Sequence, residues 1–272
     1  MQGRLSKSYD SKIQSFPISS WKQEFEKATK CGFEAIEWIF DEYEPNPILS
    51  SEGILEINSL CKKYNITINS ICADYFMTKK LFHESKSNLE KNIKILKELI
   101  LQSKKLEISC IEIPLVDSSS LKTAKDKIGL KNSLDKVIPI AEKNNVIIVL
   151  ETDLIPLDFK NLLLEFDHPN IMANYDSGNS ASLGYNVKEE LTVLKKWIKN
   201  VHVKDREFKG KTVPLGTGDT NFDLFFSSLS KIHYSGDLII QGARLTDTKI
   251  TPETTCQTYQ KFVKGYVDKY YT

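Results

Sequence analysis

No two cysteines in this sequence are spaced like a metal knuckle or a disulfide staple, and that absence bounds its chemistry first. The five cysteines (Cys31, Cys61, Cys72, Cys110 and Cys256) are odd in number and far apart, so they read as reduced thiols in a cytoplasmic protein. Apolar runs as short as 146–150 are among the longest, far below the roughly 20 residues of a membrane-spanning helix. The first residues, MQGRLSKSYDSKIQSFPI, lack the apolar centre of a secretion signal. Excess charge is missing as well: 37 Lys and Arg stand against 36 Asp and Glu, a formal net charge of +1. Nucleic-acid binders draw much of their affinity from a basic surplus, so DNA and RNA are set aside as partners. No G-x-G-x-x-G turn follows any apolar run, which removes the phosphate-cradling fingerprint of a doubly wound dinucleotide-binding sheet.

What is present is alternation. Short apolar runs occupy 33–40, 66–72, 108–116, 146–150, 171–175, 200–203 and 238–240, with an initial strand expected at 2–5. Between them lie segments of helical period: 20–31, 51–64, 84–106, 121–144, 158–166, 187–199, 222–232 and 252–270. In 84–106, for example, Leu89, Ile93, Leu96 and Ile100 recur at three- and four-residue steps. Strand followed by helix, repeated, requires parallel strands with helical crossovers. Eight such units in 272 residues predict one (β/α)8 barrel spanning 1–272 as a single domain, with no linker or repeat to divide it.

In a barrel the chemistry collects where strands end at their C-terminal edge. The run VIIVL ends in Glu151, IMANY ends in Asp176, and NVHVKDR presents His202, with Lys204 on the same face and Arg206 just beyond. The run DLIIQ ends in Gln241, with Arg244 following. The interval between successive ends is about one βα unit, so adjacent strands bring these side chains around one point. Any one strand-terminal polar residue is explained by its entry into a loop. Glu, Asp and His on three consecutive strands have the composition of a site for Mn²⁺, Mg²⁺, Co²⁺ or Zn²⁺.

Weaker candidates surround this trio. Glu37 and Glu112 sit inside apolar strands, where a carboxylate must face either the site or solvent because unpaired burial is costly. Arg206 and Arg244 suit a phosphate or carboxylate, whereas Arg4 reads as a paired structural arginine. Asp74 reads as the start of a loop, and His83, His168 and His233 as solvated or structural. The stretch 213–223 is a glycine-punctuated loop entering a helix, with Asp219, Thr220 or Asn221 as its cap.

The stretches GFEAIEW, VIIVLET, NYDSGN, NVHVKDR, PLGTGD and YSGDLII together resemble, over nearly the whole chain, the sugar phosphate isomerase/epimerase group of the xylose isomerase-like TIM barrels. In that group four strand-end ligands, Glu, Asp, His and Glu, hold Mn²⁺, Mg²⁺ or Co²⁺, and the substrates are small sugars, sugar phosphates or related polyols. The resemblance implies Glu151, Asp176, His202 and, in fourth position, Gln241. It departs from the group there, since a Gln oxygen can coordinate a hard cation but cannot act as a base. It departs again at Asn179, where several relatives carry His; this speaks against the abasic-site nuclease branch, which needs further histidines.

The favoured expectation is a metal-dependent isomerase or epimerase. Glu151 is the proton-abstracting base, a second acid–base group lies among Glu37, Glu112 and Lys204, and Arg206, Arg244 and Glu112 contact a sugar or sugar phosphate. A dehydratase or lyase on the same barrel shares the first step, and a sugar-binding barrel without turnover is the reading that Gln241 favours. A homo-oligomer is compatible with the sequence, which shows no interface signature.

Overall fold

Seven of the apolar runs form one parallel sheet in chain order: β1 (Trp38–Ile39), β2 (Ser70–Cys72), β3 (Cys110–Leu115), β4 (Ile147–Thr152), β5 (Ile171–Asp176), β6 (Ile198–Val203) and β7 (Leu238–Ile240). The computed structural model describes residues 1–7, 14–245 and 249–271. Parallel neighbours oblige the chain to cross back over the sheet, and helices make each crossing. They are α1 (Trp21–Lys30), α2 (Ser51–Tyr64), α3 (Tyr75–Thr78), α4 (Lys86–Lys105), α5 (Ala124–Leu134), α6 (Ile138–Asn144), α7 (Pro156–Phe166), α8 (Ser177–Leu183), α9 (Val187–Leu194), α10 (Phe222–Lys231) and α11 (Pro252–Tyr270). Among the described residues no helix is long and apolar enough to cross a membrane.

Four departures from the sequence reading have local causes. The helix expected over 121–144 is two, α5 and α6, because Pro139 has no N–H to bond back across the break. The helix expected over 187–199 stops at Leu194, since Ile198 already pairs with Ala173 of β5. The short helix α8 is poor in helix formers (SGNSASL), yet Asp176 caps it by accepting from Gly178 N and Asn179 N, both at 2.8 Å. The strand expected at 2–5 is reduced to a bridge between Gln2 and Glu37, because Gly3, at φ +53°, turns the chain out of the extended form. That segment nevertheless touches both ends of the sheet: Glu37 N donates to Met1 O at 3.0 Å, and Gln2 N donates to Ile240 O at 3.2 Å.

The register sorts the side chains, because residues paired across neighbouring strands point to the same side. One side carries Trp38, Ile71, Ile111, Ile148, Ala173, Val201 and Leu238. It meets the helices: Trp38 packs on Trp21 of α1 at 5.6 Å between ring centroids, and Tyr175 stacks on Phe225 of α10 at 5.8 Å. The other side carries Ser70, Cys72, Glu112, Glu151, Asn174, Asp176, Asn200 and His202, and all of them are buried. The helix-facing side is apolar, and the opposite side sets these buried polar and ionisable groups beside apolar ones such as Val149 and Ile239.

Candidate functional site

Glu151, Asp176 and His202 lie near the C-terminal ends of β4, β5 and β6, with Asp176 directly in register with His202. One potential ligand atom from each lies within 4.8 Å of the others, and all three residues are buried. His202 Nδ1 is 3.3 Å from Glu151 Oε2 and 3.9 Å from Asp176 Oδ2. Its other nitrogen, Nε2, is 2.9 Å from Glu37 Oε2. Glu37 also accepts from Ser70 Oγ at 2.7 Å and from Asn200 Nδ2 at 3.1 Å. A carboxylate only accepts, so Glu37 holds the hydrogen on Nε2 and leaves Nδ1 facing the two acids.

The protonation pattern follows from this crowding. Burial alone would lower the His202 pKa, but Glu37 and Glu151 raise it well above the usual value. Glu37 and Glu151 are pushed up by burial and pulled down further by His202, ending below the ordinary range. Asp176 goes the other way: burial, joined by the Glu151 charge, outweighs the help of Lys204 and raises it. Lys204 Nζ stands 3.3 Å from Asp176 Oδ2. Three buried carboxylates thus share one lysine and one imidazole. A divalent cation beside a neutral imidazole would balance that set. Gln241 adds a buried carbonyl oxygen without a hydrogen-bond partner among the described residues. Two carboxylates, an imidazole lone pair and an amide oxygen suit a hard or borderline divalent ion.

A layer of amides braces the acids. Asn174 Nδ2 donates to Glu151 Oε2 at 2.6 Å and lies 3.2 Å from His202 Nδ1. Asn179 Nδ2 donates to Glu151 Oε1, while its oxygen accepts from Arg206 Nη1 at 2.8 Å. Arg206 is pinned again by Gly210 O, which accepts from Nε at 3.2 Å and Nη2 at 2.8 Å. Gly178 is required beside them, because a Cβ there would lie 2.7 Å from Lys204 Cγ.

Glu151, Asn179 and Gln241 line a cavity of about 380 Å³, together with the basic Lys204, Arg206 and Lys211 and the acidic Asp74 and Glu112. Glu112 is fully buried, neither of its oxygens has a hydrogen-bond partner among the described residues, and burial together with Glu151 pushes its pKa well above the usual range. Of the residues singled out in the sequence, the cavity brings together Glu151, Lys204, Arg206, Glu112 and Gln241. Glu37 does not line it; it lies against His202. Arg244 does not line it either, since its guanidinium bonds to Ser6 O and Gly3 O. A larger hollow of about 620 Å³ lies among Met1, Phe33, Asp237 and α11, where none of these residues is found.

The glycine-punctuated loop after β6 is organised from within. Asp205 Oδ2 accepts from Gly216 N, Thr217 N and Gly218 N at 2.9–3.1 Å, and its Oδ1 accepts from Thr220 N at 3.1 Å. The loop's own amides are therefore spent on Asp205, and Asn221 caps α10. His83 is exposed beside Asp126, His168 accepts from Asn170 N, and His233 is exposed.

Sequence reasoning did not single out Asn174 and Asn200, although each lies two residues before a ligand-type residue and so shares its face. Gln14 carries no such signal: it belongs to no strand or helix and meets the site only through the fold.

The family profile described as "Xylose isomerase-like TIM barrel" matches residues 25–253. No curated protein matches the sequence significantly. Among solved structures, the IOLI protein with a bound zinc atom is similar at TM-score 0.77 and 20% identity, over 92% of this chain and 93% of that one. D-Psicose 3-epimerase with D-tagatose from Clostridium cellulolyticum H10 is similar at TM-score 0.76 and 16% identity, over 91% and 93%. The 3-keto-D-glucoside 4-epimerase YcjR from E. coli, in its apo form, is similar at TM-score 0.74 and 15% identity, over 97% of each chain.

Proposed function

The chain belongs to the xylose isomerase-like TIM barrel family, and from that premise we propose that it is a metal-dependent isomerase or epimerase of a small sugar or sugar phosphate. The observation that carries the reading is the buried convergence of Glu151, Asp176 and His202 on one point at the ends of three consecutive strands. The relatives named as sugar epimerases share this fold, which supports a sugar as substrate. The Met1–Gln2 segment, bonded to both Glu37 and Ile240, supports closure of the seven-stranded sheet into a full (β/α)8 barrel.

Glu151, Asp176, His202 Nδ1 and Gln241 Oε1 would hold the ion. When bound, a divalent cation supplies a Lewis acid that stabilises negative charge on sugar oxygens. Glu151 removes the proton from the carbon beside the substrate carbonyl, and the bonding pair moves to oxygen to give an enediolate. Glu37 is closed onto His202, and Lys204 onto Asp176, so the second proton carrier is Glu112. Its unpartnered carboxyl, kept neutral by burial, returns a proton to carbon. Arg206, braced by Asn179 and Gly210, holds a carboxylate or phosphate at the cavity wall.

The test is exchange of the substrate's carbon-bound proton in D₂O, followed by NMR across a panel of ketoses and their phosphates with Mn²⁺. The expected result is Mn²⁺-dependent exchange that falls roughly 10²–10⁴-fold in Glu151→Gln. Exchange that survives that substitution would overturn the role of Glu151, and a protein that takes up no divalent ion would overturn the reading as a whole.

A further inference from the structure

A glutamine in a metal position raises a problem that a glutamate does not. Its amide presents an oxygen in one orientation and an NH₂ in the other, and only the oxygen can approach a cation. Something must therefore decide which end faces Glu151, Asp176 and His202. The neighbours of Gln241 contain such a device. Gln241 Nε2 donates to Gln14 Oε1 at 3.2 Å. Gln14 Nε2 donates in turn to Asp74 Oδ2, with Cys72 Sγ at 3.3 Å beside it. The other Asp74 oxygen, Oδ1, accepts from Cys72 Sγ at 3.4 Å.

This chain of contacts runs in one direction only. An ionised carboxylate has no hydrogen to give, so Gln14 must turn its NH₂ toward Asp74. That leaves Gln14 with only its carbonyl for Gln241, which must answer with its own NH₂. The one end of Gln241 then left over is Oε1, which is buried and has no hydrogen-bond partner among the described residues. Reversing the Gln241 amide would set two carbonyl oxygens against each other and turn NH₂ toward the cation position.

We propose that Asp74 and Gln14 are positioning residues that fix the amide of Gln241 so that its oxygen, and not its NH₂, faces the Glu151–Asp176–His202 cluster. The inference rests on the reading of that cluster as a cation site and explains how a glutamine serves in it. Asp74 and Gln14 act on the ion through Gln241.

The relay makes a prediction about sign that simple packing does not. With a glutamate at 241, the acceptor-only group would lie at both ends of Gln14, and the Gln14 carbonyl would be forced against the Asp74 carboxylate. An asparagine at 74 removes that clash because it can donate. In the natural background, the same asparagine only releases Gln14 from its fixed orientation. Mn²⁺ affinity is therefore measured by calorimetry on the metal-free full chain at pH 8, where Asp74, pushed up by burial to about 6, is ionised. Asp74→Asn is expected to weaken Mn²⁺ binding about tenfold in the natural background, the usual scale for an outer-layer partner of a metal ligand. It is expected to strengthen binding in the Gln241→Glu background. Gln14→Leu should weaken binding by a similar factor. Because Asp74→Asn is isosteric, the two-background comparison stands even if the Gln14 variant folds poorly.

A change of the same sign in both backgrounds overturns the relay, as does an unchanged affinity in a folded Gln14→Leu protein. If the unmodified chain itself binds no Mn²⁺, the cation-site reading fails, and the relay with it. The two failures are thus told apart by the first titration.

Discussion

At the scale of single residues, the site depends on carboxylates that do different work although they look alike in sequence. Glu37 and Glu151 both interrupt or end an apolar run, yet one faces the cavity and the other lies against the far nitrogen of His202. Ser70 and Asn200 both donate to Glu37 Oε1, and its Oε2 lies against His202 Nε2, an arrangement suited to hold the imidazole tautomer. Glu37→Gln should therefore lower Mn²⁺ affinity by roughly 10- to 100-fold. It should also lower the His202 pKa, followed by NMR of the metal-free protein, since Glu37 is the leading influence that raises it. A variant that binds Mn²⁺ normally would remove Glu37 from this role. Glu151, Asp176 and His202 were legible in the sequence because strand ends collect function in this fold class. Gln14 and Asp74 were not, because their contact spans 60 residues of chain and no period links them.

At the scale of elements, the corner between β5 and α8 carries two residues of the site. It holds Asp176 and Asn179, and it is gripped from behind by Glu190 of α9. Glu190 accepts from Tyr175 Oη at 3.0 Å and from Ser180 Oγ, the residues just outside Asp176 and Asn179. Burial raises the Glu190 carboxyl from 4.5 to about 7, against the pull of those two hydroxyls. The folded state thus keeps a proton that the unfolded chain has already released. The contribution of Glu190 to stability is full below about pH 4.5 and falls away as pH rises through 7, by at most roughly 3 kcal/mol. Denaturant melts at pH 5 and pH 8 should show this decline, and Glu190→Gln should lessen it, leaving the part due to the other buried carboxyls. An equal slope in the variant would assign the pH dependence elsewhere. The period of the sequence found most helices but not α8, whose residues favour turns and which exists because Asp176 caps it. It also merged α5 with α6, whose apolar spacing continues across a break made by backbone chemistry.

At the scale of the whole molecule, the sheet divides its two sides so sharply that stability and function compete. The apolar side packs under helices, while the opposite side buries Glu37, Glu112, Glu151, Asp176 and His202. An apolar filling there would favour folding; the ionisable one favours a charged guest. The Asp176 pKa is raised in the fold by burial and by Glu151, so its ionised form is held at a cost above neutral pH. Asn keeps the cap on α8, because its side-chain oxygen can accept from Gly178 N and Asn179 N just as the carboxylate does. Asp176→Asn should therefore leave the metal-free protein at pH 8 at least as stable as the natural chain. In the same variant the gain from Mn²⁺ should disappear. In the natural protein, an ion at 100 times its dissociation constant adds about 2.7 kcal/mol, which corresponds to a rise of about 5–11 °C in Tm at 2–4 °C per kcal/mol for a domain near this size. Calorimetric scans with Mn²⁺ and with a chelator separate the two effects. A variant that melts well below the natural protein in chelator would mean that the Lys204–Asp176 pair stabilises the fold more than the crowded acids destabilise it.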